Sequence, residues 1–527
     1  MTGYLRTLAL LACLALPGLS HALAPGAALA MAKGDSNSRI AAMQAAITDA
    51  PDERTAAFLR ALAANEVVVA DDRALIVRDG QAQDPVSGET LALPAGAESV
   101  MNNNRMRGAI SAALAALDLF AADAGQRLKA AQAMRQSASA ERLPLVEKAL
   151  AQETDSRVKQ ALEQILASVQ LNTELPAERL AAIATLASDA SPATRLLLNE
   201  RLAAESDDQV RGELQRALRK IDDRLAWGER LGVAFTGISL GSILLLVALG
   251  LAITYGLMGV INMAHGELMM IGAYATYVVQ DLFRQYLPGA FDAYLLAAIP
   301  VAFLASALVG AILERNVIRF LYGRPLETLL ATWGISLILM QLVRTVFGAQ
   351  NVAVENPSWM SGGWQALPNL TLPYNRIVII GFAFAVLALV AWIISRTRMG
   401  LFVRGVTQNR PIASCMGVNT ARVDTMAFAL GSGIAGLAGC ALSQVGNVGP
   451  DLGQSYIVDS FMVVVLGGVG QLAGTVYAAL GLGILNKFLE GWTGAVLAKI
   501  AVLVFIIAFI QKRPQGLFAM KGRSAEA

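Results

Sequence analysis

His265 and Glu267 stand two residues apart in Ile261-Asn262-Met263-Ala264-His265-Gly266-Glu267, a polar interruption between two long apolar runs. Ionisable and amide side chains are costly in hydrocarbon, so within apolar segments they face a protein interior or a water-filled cavity. Asn262, His265, Glu267, Thr328, Thr332, Gln341 and Asp459 form such a set, each within or beside an apolar segment. Amide, hydroxyl, carboxylate and imidazole groups offer donors and acceptors to a small polar solute. The set therefore reads as a candidate solute path. A structural reading is equally open for His265 and Glu267, in which their hydrogen bonds fix the break between two helices. Arg344 sits near the end of another apolar run and is expected to snorkel to an interface.

A second constellation is basic. Gly400, Arg404, Gly405, Arg410 and Gly417 fall in a loop from Arg396 to Arg422 that contains a short potential helix near residues 410–416. Its arginines either make a docking surface for a protein or follow from topology alone. The glycines are expected to shape a tight chain path.

Other chemistries find no support. The histidines are His21 and His265, and the cysteines are Cys13, Cys415 and Cys440, so neither a metal site nor a disulfide framework is expected. The run Gly468-Val469-Gly470-Gln471-Leu472-Ala473-Gly474-Thr475 is glycine-rich but lacks the lysine of a phosphate loop. Its glycines suit close helix packing instead. No cofactor and no catalytic residues are expected in this chain, and a net charge of +2 gives no reason to expect a nucleic-acid partner.

The elements that must position these residues follow from patterning. The 527 residues are 55% hydrophobic and 16% charged, against about 25% charged in ordinary soluble chains. Up to about Arg230 the chain is alanine-rich and well charged; beyond Leu231 it is dominated by runs long enough to cross a bilayer. These run at about 235–257, 265–283, 292–313, 328–348, 375–395, 424–445, 456–473, 474–489 and 493–511. Basic residues cluster at Arg315, Arg319 and Arg324, at Arg396 to Arg422, and at Lys512 to Arg523, whereas 349–373 and 446–455 have none. The charge rule places the basic loops in the cytoplasm and the bare loops outside. Nine crossings fit this parity; eight result if the glycines at 467–474 make a re-entrant turn.

Arg6, the apolar Leu8 to Leu16, Pro17-Gly18 and Ala22-Leu23-Ala24 have the order of a secretory signal peptide cleaved after Ala24. The first apolar segment then begins outside, in agreement with the charge rule. Within the soluble half, Glu66 to Thr90 reads as a small β-hairpin or meander. Residues 127–166 and 179–218 resemble each other at an offset of 52: Arg127, Leu145, Glu153, Asp155 and Val158 match Arg179, Leu197, Glu205, Asp207 and Val210. Each unit reads as a pair of amphipathic helices of a solenoid. The expected fold is an all-α polytopic membrane protein of eight to nine transmembrane helices, preceded by a secreted, mainly α-helical repeat domain with a small β-hairpin. Its parts are a signal peptide (1–24), a periplasmic helical-repeat domain (25–230), a transmembrane domain (231–518) and a cytoplasmic tail (519–527).

The stretch 261–267 resembles the branched-chain amino acid permease family of ABC importers. The resemblance continues at Gly272-Ala273-Tyr274, Arg396-Thr397-Arg398-Met399-Gly400, Arg404-Gly405, Gly417-Val418-Asn419, Gly467-Gly468-Val469-Gly470 and Arg513-Pro514-Gln515-Gly516-Leu517, covering roughly 232–518. Gly323-Arg324-Pro325-Leu326-Glu327-Thr328-Leu329-Leu330-Ala331-Thr332-Trp333-Gly334 and the long secreted extension resemble its urea-importing branch. The resemblance implies a multi-pass inner-membrane subunit that works with a second permease subunit, two cytoplasmic ATPase subunits and a periplasmic substrate-binding protein. It also implies that the short helix in the basic loop inserts into the ATPase, and that ATP is hydrolysed there. Urea, or a branched-chain amino acid or short amide, is the implied solute. A passive channel or a membrane sensor is the alternative of a different class.

Overall fold

The computed structural model describes residues 24–49, 53–70, 72–78, 81–94, 96–135 and 143–518. The expected leader up to residue 23 and the expected tail 519–527 lie outside the described residues. The chain divides into two compact units, residues 1–224 and 225–527.

The first unit opens with three helices, α1 (Pro25–Ala32), α2 (Ser36–Asp49) and α3 (Glu53–Ala63), followed by five short strands and α4 (Asn104–Asp118). The strands β1 (Val67–Ala70), β2 (Arg73–Arg78), β3 (Gln81–Gln83), β4 (Thr90–Ala92) and β5 (Glu98–Ser99) form one sheet in the order β4-β3-β2-β1-β5. The expected hairpin or meander is the antiparallel run β1 to β4, with Val67 opposite Ile76, and β5 pairs on the other side of β1. The sheet's edge strands are two or three residues long and mostly polar, too short for an alternating pattern to be read. Phe58, Leu59, Leu62, Val67, Met106 and Ile110 fill the core between sheet and helices.

The remainder of this unit repeats three helices, not the expected two. Helices α5 (Ala124–Arg135), α6 (Leu143–Gln152) and α7 (Ser156–Gln170) are followed by α8 (Pro176–Leu186), α9 (Pro192–Ala204) and the start of α10 (Asp208–Met258). Their polar joints recur at the same positions. Arg127 pairs with Glu153 and donates to the carbonyls of Ala121 and Ala122. Arg179, 52 residues on, pairs with Glu205 and donates to those of Thr173 and Glu174. Glu153 accepts from the amides of Thr154 and Asp155, and Glu205 from those of Ser206 and Asp207. Asp155 and Asp207 then cap the following helices, accepting from the amides of Val158 and Val210.

In the second unit the remaining helices are α11 (His265–Tyr286), α12 (Tyr294–Asn316), α13 (Pro325–Phe347), α14 (Tyr374–Arg396), α15 (Arg398–Gln408), α16 (Arg410–Cys415), α17 (Thr420–Ser443), α18 (Leu452–Gly467), α19 (Leu472–Thr493) and α20 (Ala495–Lys512). Among the described residues, seven helices are long and apolar enough to cross a membrane: α10, α12, α13, α14, α17, α19 and α20. The expected segment at 265–283 is the 22-residue α11, long enough to cross but carrying Glu267, Asp281 and Arg284. The expected segments 456–473 and 474–489 are displaced. Helix α18 ends at Gly467 and α19 begins at Leu472, because Gly468 and Gly470 take left-handed backbone conformations, at φ of 96° and 78°. The first expected segment is the apolar part of α10, a helix of 51 residues that contains the boundary between the two units.

Helix α17 occupies the centre of the bundle, buried along most of its length. A side chain on its Gly436 would overlap Ser306 of α12, and one on Gly272 of α11 would overlap the Gly436 backbone. Glycines at these contacts let three backbones approach one another, as small residues do in membrane helix packing.

The loops of this unit gather at two ends. At one, Val352 and Val448 form a β-bridge, Tyr294 donates to the Glu355 carbonyl at 2.6 Å, and Ser358 donates to Asp292. At the other, the Tyr322 hydroxyl meets Met258, Arg410 lies over the Tyr322 ring, and Leu517 donates to the Leu466 carbonyl. The basic clusters at 315–324, 396–422 and 512–513 belong to this second end, and the two loops without Lys or Arg belong to the first.

Candidate functional site

The polar interruption lies inside the bundle. Between α10 and α11 the chain runs irregularly through residues 259–264, with Val260, Asn262 and Ala264 buried. Irregular backbone at such a place must have its amides and carbonyls satisfied by protein or water. Asn262 accepts from the Ala264 amide at 3.0 Å, and Thr332 of α13 accepts from the Met263 amide at 3.1 Å. Thr332 in turn donates to the Thr328 carbonyl, and Thr328 to the carbonyls of Leu321 and Arg324.

His265 is fully buried. Its Nε2 lies 3.1 Å from the Val247 carbonyl of α10, an acceptor that requires Nε2 to carry the proton. The ring lies against Gly250, where a side chain would meet it. This arrangement joins α10 to α11, while Nδ1 of the same ring is buried without a hydrogen-bond partner among the described residues.

Glu267 is placed differently. Its Oε1 accepts from Ser336 of α13 at 2.9 Å, while Oε2 is buried with no hydrogen-bond partner among the described residues. The amide Nδ2 of Asn262 and the hydroxyl of Tyr274 are in the same condition. Buried polar atoms normally have partners, and these three orphans, with His265 Nδ1 a fourth on the same stretch of chain, mark a place that can bind a polar guest or water. Tyr274 lies two turns beyond Glu267 on α11 and its ring packs on Phe347 of α13, with centroids 4.7 Å apart. Thr328, Thr332, Ser336, Met340 and Val343 form the buried face of α13. Asn262, Glu267, Tyr274, Thr328, Thr332 and Ser336 thus make a polar seam at the junction of α11 and α13. Ser336 continues the spacing of four residues set by Thr328 and Thr332, a signal by which the sequence could have found it. Tyr274 offered no such signal.

Besides His265, which turns to the Val247 carbonyl, two expected members do not join the seam. Gln341 is exposed on α13, because position 341 falls on the opposite face from the buried stripe. Asp459 of α18 pairs with Lys499 of α20 at 3.4 Å, which consumes its charge in a different helix contact. Arg344 is exposed in the last turn of α13.

The basic loop forms two helices, α15 and α16. Asn409 caps the six-residue α16 by accepting from the Ile412 amide, and Pro411 occupies its first turn. Gly417, at φ of 82°, ends it: the amide of Val418 returns to the Ala413 carbonyl. Gly400 is required by proximity, since a side chain there would overlap the Ile394 backbone. Gly405 has open space around it, so its expected role in a tight chain path does not hold. Arg404 is exposed, as are Ile412 and Cys415 on α16 and Met416 just beyond it. Arg410 is turned inward: it pairs with the buried Asp424 of α17 and its guanidinium lies over the Tyr322 ring. These contacts anchor Arg410 to α17 and to the Tyr322 linker. Beside it, Glu314 of α12 accepts from Tyr322 at 2.8 Å and from Thr425 at 2.5 Å. The sequence reading passed over Glu314 and Asp424, although acids inside apolar helices are a readable signal.

Comparison with known proteins gives a family assignment. The profile of a family described as branched-chain amino acid transport system / permease component matches residues 233–510. The chain is similar to the high-affinity branched-chain amino acid transport system permease protein LivH of Salmonella typhimurium, with 27% identity over 292 residues, 54% of this chain and 93% of the relative. It is equally similar to the corresponding protein BraD of Pseudomonas aeruginosa, 27% identical over 287 residues, 53% of this chain and 93% of the relative. A shorter likeness, 34% identity over 120 residues (22% of this chain, 35% of the relative), is to the autoinducer 2 import system permease protein LsrC of Salmonella paratyphi B. No solved structure is a significant match. The alignments with LivH and BraD run over nearly the whole of those permeases, and the matched region holds the interrupted helix, the polar seam and the basic loop. The chain therefore belongs to the branched-chain amino acid transport system permease family.

Proposed function

We propose that this chain is the transmembrane subunit of an ATP-driven importer that moves urea across the bacterial inner membrane into the cytoplasm. The observation that carries the reading is the seam between α11 and α13, with its unpartnered Glu267 Oε2, Asn262 Nδ2 and Tyr274 hydroxyl. These atoms supply both donors and acceptors. The seam includes no lysine or arginine, so a small neutral amide finds partners there without a cation to meet a carboxylate. The resemblance of residues 323–334 to the urea-importing branch supports the same solute.

The basic end of the bundle faces the cytoplasm by the charge rule. The opposite end and the residues preceding the bundle are then periplasmic, after removal of a leader ending at Ala24. Helix α16 is the contact to one of two separate ATPase subunits, with Ile412 and Met416 as apolar knobs and Arg404 as a charged neighbour. A second permease subunit completes the path, and a periplasmic binding protein delivers the solute.

A branched-chain amino acid is the second reading, favoured by what the names of LivH and BraD say those proteins transport. Uptake of radiolabelled urea and radiolabelled leucine by a strain lacking this chain separates the two. Loss of urea uptake with leucine uptake intact supports urea; the reverse pattern rejects it.

A further inference from the structure

The short helix α16 is joined to the polar seam through one side chain. Arg410 opens α16, and its guanidinium carbon lies 5.2 Å from the centre of the Tyr322 ring. Tyr322 donates to the buried Glu314 of α12 at 2.8 Å, and the same carboxylate accepts from Thr425 of α17 at 2.5 Å. The tyrosine hydroxyl also touches the sulfur of Met258, in the last turn of α10 before the irregular segment 259–264. One residue before Tyr322, the Leu321 carbonyl accepts from Thr328, and Thr328 accepts from Thr332 at 2.8 Å. Thr332 then holds the Met263 amide.

We infer that Tyr322 is the positioning residue through which displacement of α16 reaches the seam at Glu267 and Ser336. Four features support this. Tyr322 lies on a linker, between a 3-10 turn at Ile318–Leu321 and the start of α13, so it can move with either neighbour. Its phenol is wedged between a cation from α16 and an anion from α12, so a shift of Arg410 changes the forces on both faces. The buried Asp424 holds Arg410 in place by an ion pair, so α16 cannot slide without carrying this contact along or breaking it. The path from there to Met263 is a continuous run of hydrogen bonds and covalent neighbours. Coupling along such a path is demonstrated by biasing one site and reading the other.

The inference rests on the reading of the chain as a subunit driven by a separate ATPase, and its test does not depend on which solute is carried. Ser336→Cys is introduced together with Cys415→Ser, and the complete complex is placed in lipid vesicles. The rate of maleimide labelling at position 336 is read with and without ATP plus vanadate, alongside ATP hydrolysis. With Tyr322 intact, nucleotide changes the rate by at least about fivefold, the scale of an ordinary coupling between sites. Tyr322→Ala removes that response while the complex still assembles and hydrolyses ATP. Tyr322→Phe keeps the ring under Arg410, loses the bond to Glu314, and cuts the response to about half or less. A full response in Tyr322→Ala overturns the inference; should that variant fail to assemble, a full response in Tyr322→Phe overturns it. Absence of any response with Tyr322 intact instead overturns the reading of an ATP-coupled importer, and the inference with it.

Discussion

Ser336 Oγ donates to Glu267 Oε1 at 2.9 Å across the junction of α11 and α13, leaving the second carboxylate oxygen of Glu267 without a partner. This half-satisfied side chain leaves one oxygen open to a hydrogen-bonding guest. Replacing it with a group that cannot accept two bonds removes the guest's best partner. Glu267→Ala is expected to reduce uptake by about tenfold, the scale of one buried hydrogen bond left unmade. Ser336→Ala frees Oε1 and is expected to alter the apparent affinity more than the maximal rate. Uptake kinetics at matched membrane expression check both; unchanged uptake in Glu267→Ala would remove the seam from the solute path.

Arg404 and Arg410 lie in the same loop and are expected to act differently. Arg404 is exposed, whereas Arg410 is anchored on Asp424 and Tyr322. Arg404→Glu is expected to abolish association with the ATPase while leaving membrane insertion intact. Co-purification of the complex reads the first and membrane yield the second. Normal co-purification would show that the outer surface of α15 is not part of the contact.

Gly400 and Gly405 give a paired test of the loop's packing. A methyl group at 400 meets the Ile394 backbone, while one at 405 meets nothing. Gly400→Ala is expected to lower the thermal midpoint of the detergent-solubilised protein. Gly405→Ala is expected to leave it unchanged or raise it slightly, since alanine favours a helix by about 1 kcal/mol over glycine. Equal shifts for the two variants would contradict the packing described.

Glu153 links stability of the repeat to pH. Its hydrogen bond from Arg127 holds the carboxyl below the ordinary glutamate range. A group depressed in the folded state stabilises above its unfolded pKa of about 4.3 and loses that contribution as pH falls through the folded value. Protection from hydrogen exchange in α5 and α7 of the full chain, taken relative to the intrinsic amide rate at each pH, is therefore expected to be constant above about pH 5 and to fall below pH 4. Glu153→Gln is expected to exchange faster at neutral pH with much of that acid dependence gone. An acid response of the same size in Glu153→Gln would assign it to other carboxylates.

The sequence made some of this legible and hid the rest for physical reasons. The span order could be read because bilayer thickness imposes a length on apolar runs. The offset of 52 residues was readable because Arg127 with Glu153 and Arg179 with Glu205 are rare charges among alanines. The third helix of each unit was not, since the alanine-rich Ala124–Arg135 carries little amphipathic pattern. Within the bundle, composition identified polar residues without their rotational phase. Gln341 and Met340 are neighbours in sequence, yet one is exposed and the other buried. Asp459 looked available until Lys499 of a later helix came opposite it. The inward turn of Arg410 depended on Asp424 and Tyr322, contacts set by tertiary packing alone.

The native Cys415 gives the most direct test of the account, because it is exposed on α16, whereas Cys440 is buried. The chain is expressed without its partners, and a membrane-impermeant maleimide is applied to spheroplasts and, separately, to inverted membrane vesicles. The account predicts labelling of Cys415 in the inverted vesicles and protection in the spheroplasts. Labelling from the spheroplast exterior would put the basic loop on the side away from ATP and would contradict the proposed contact between α16 and an ATPase.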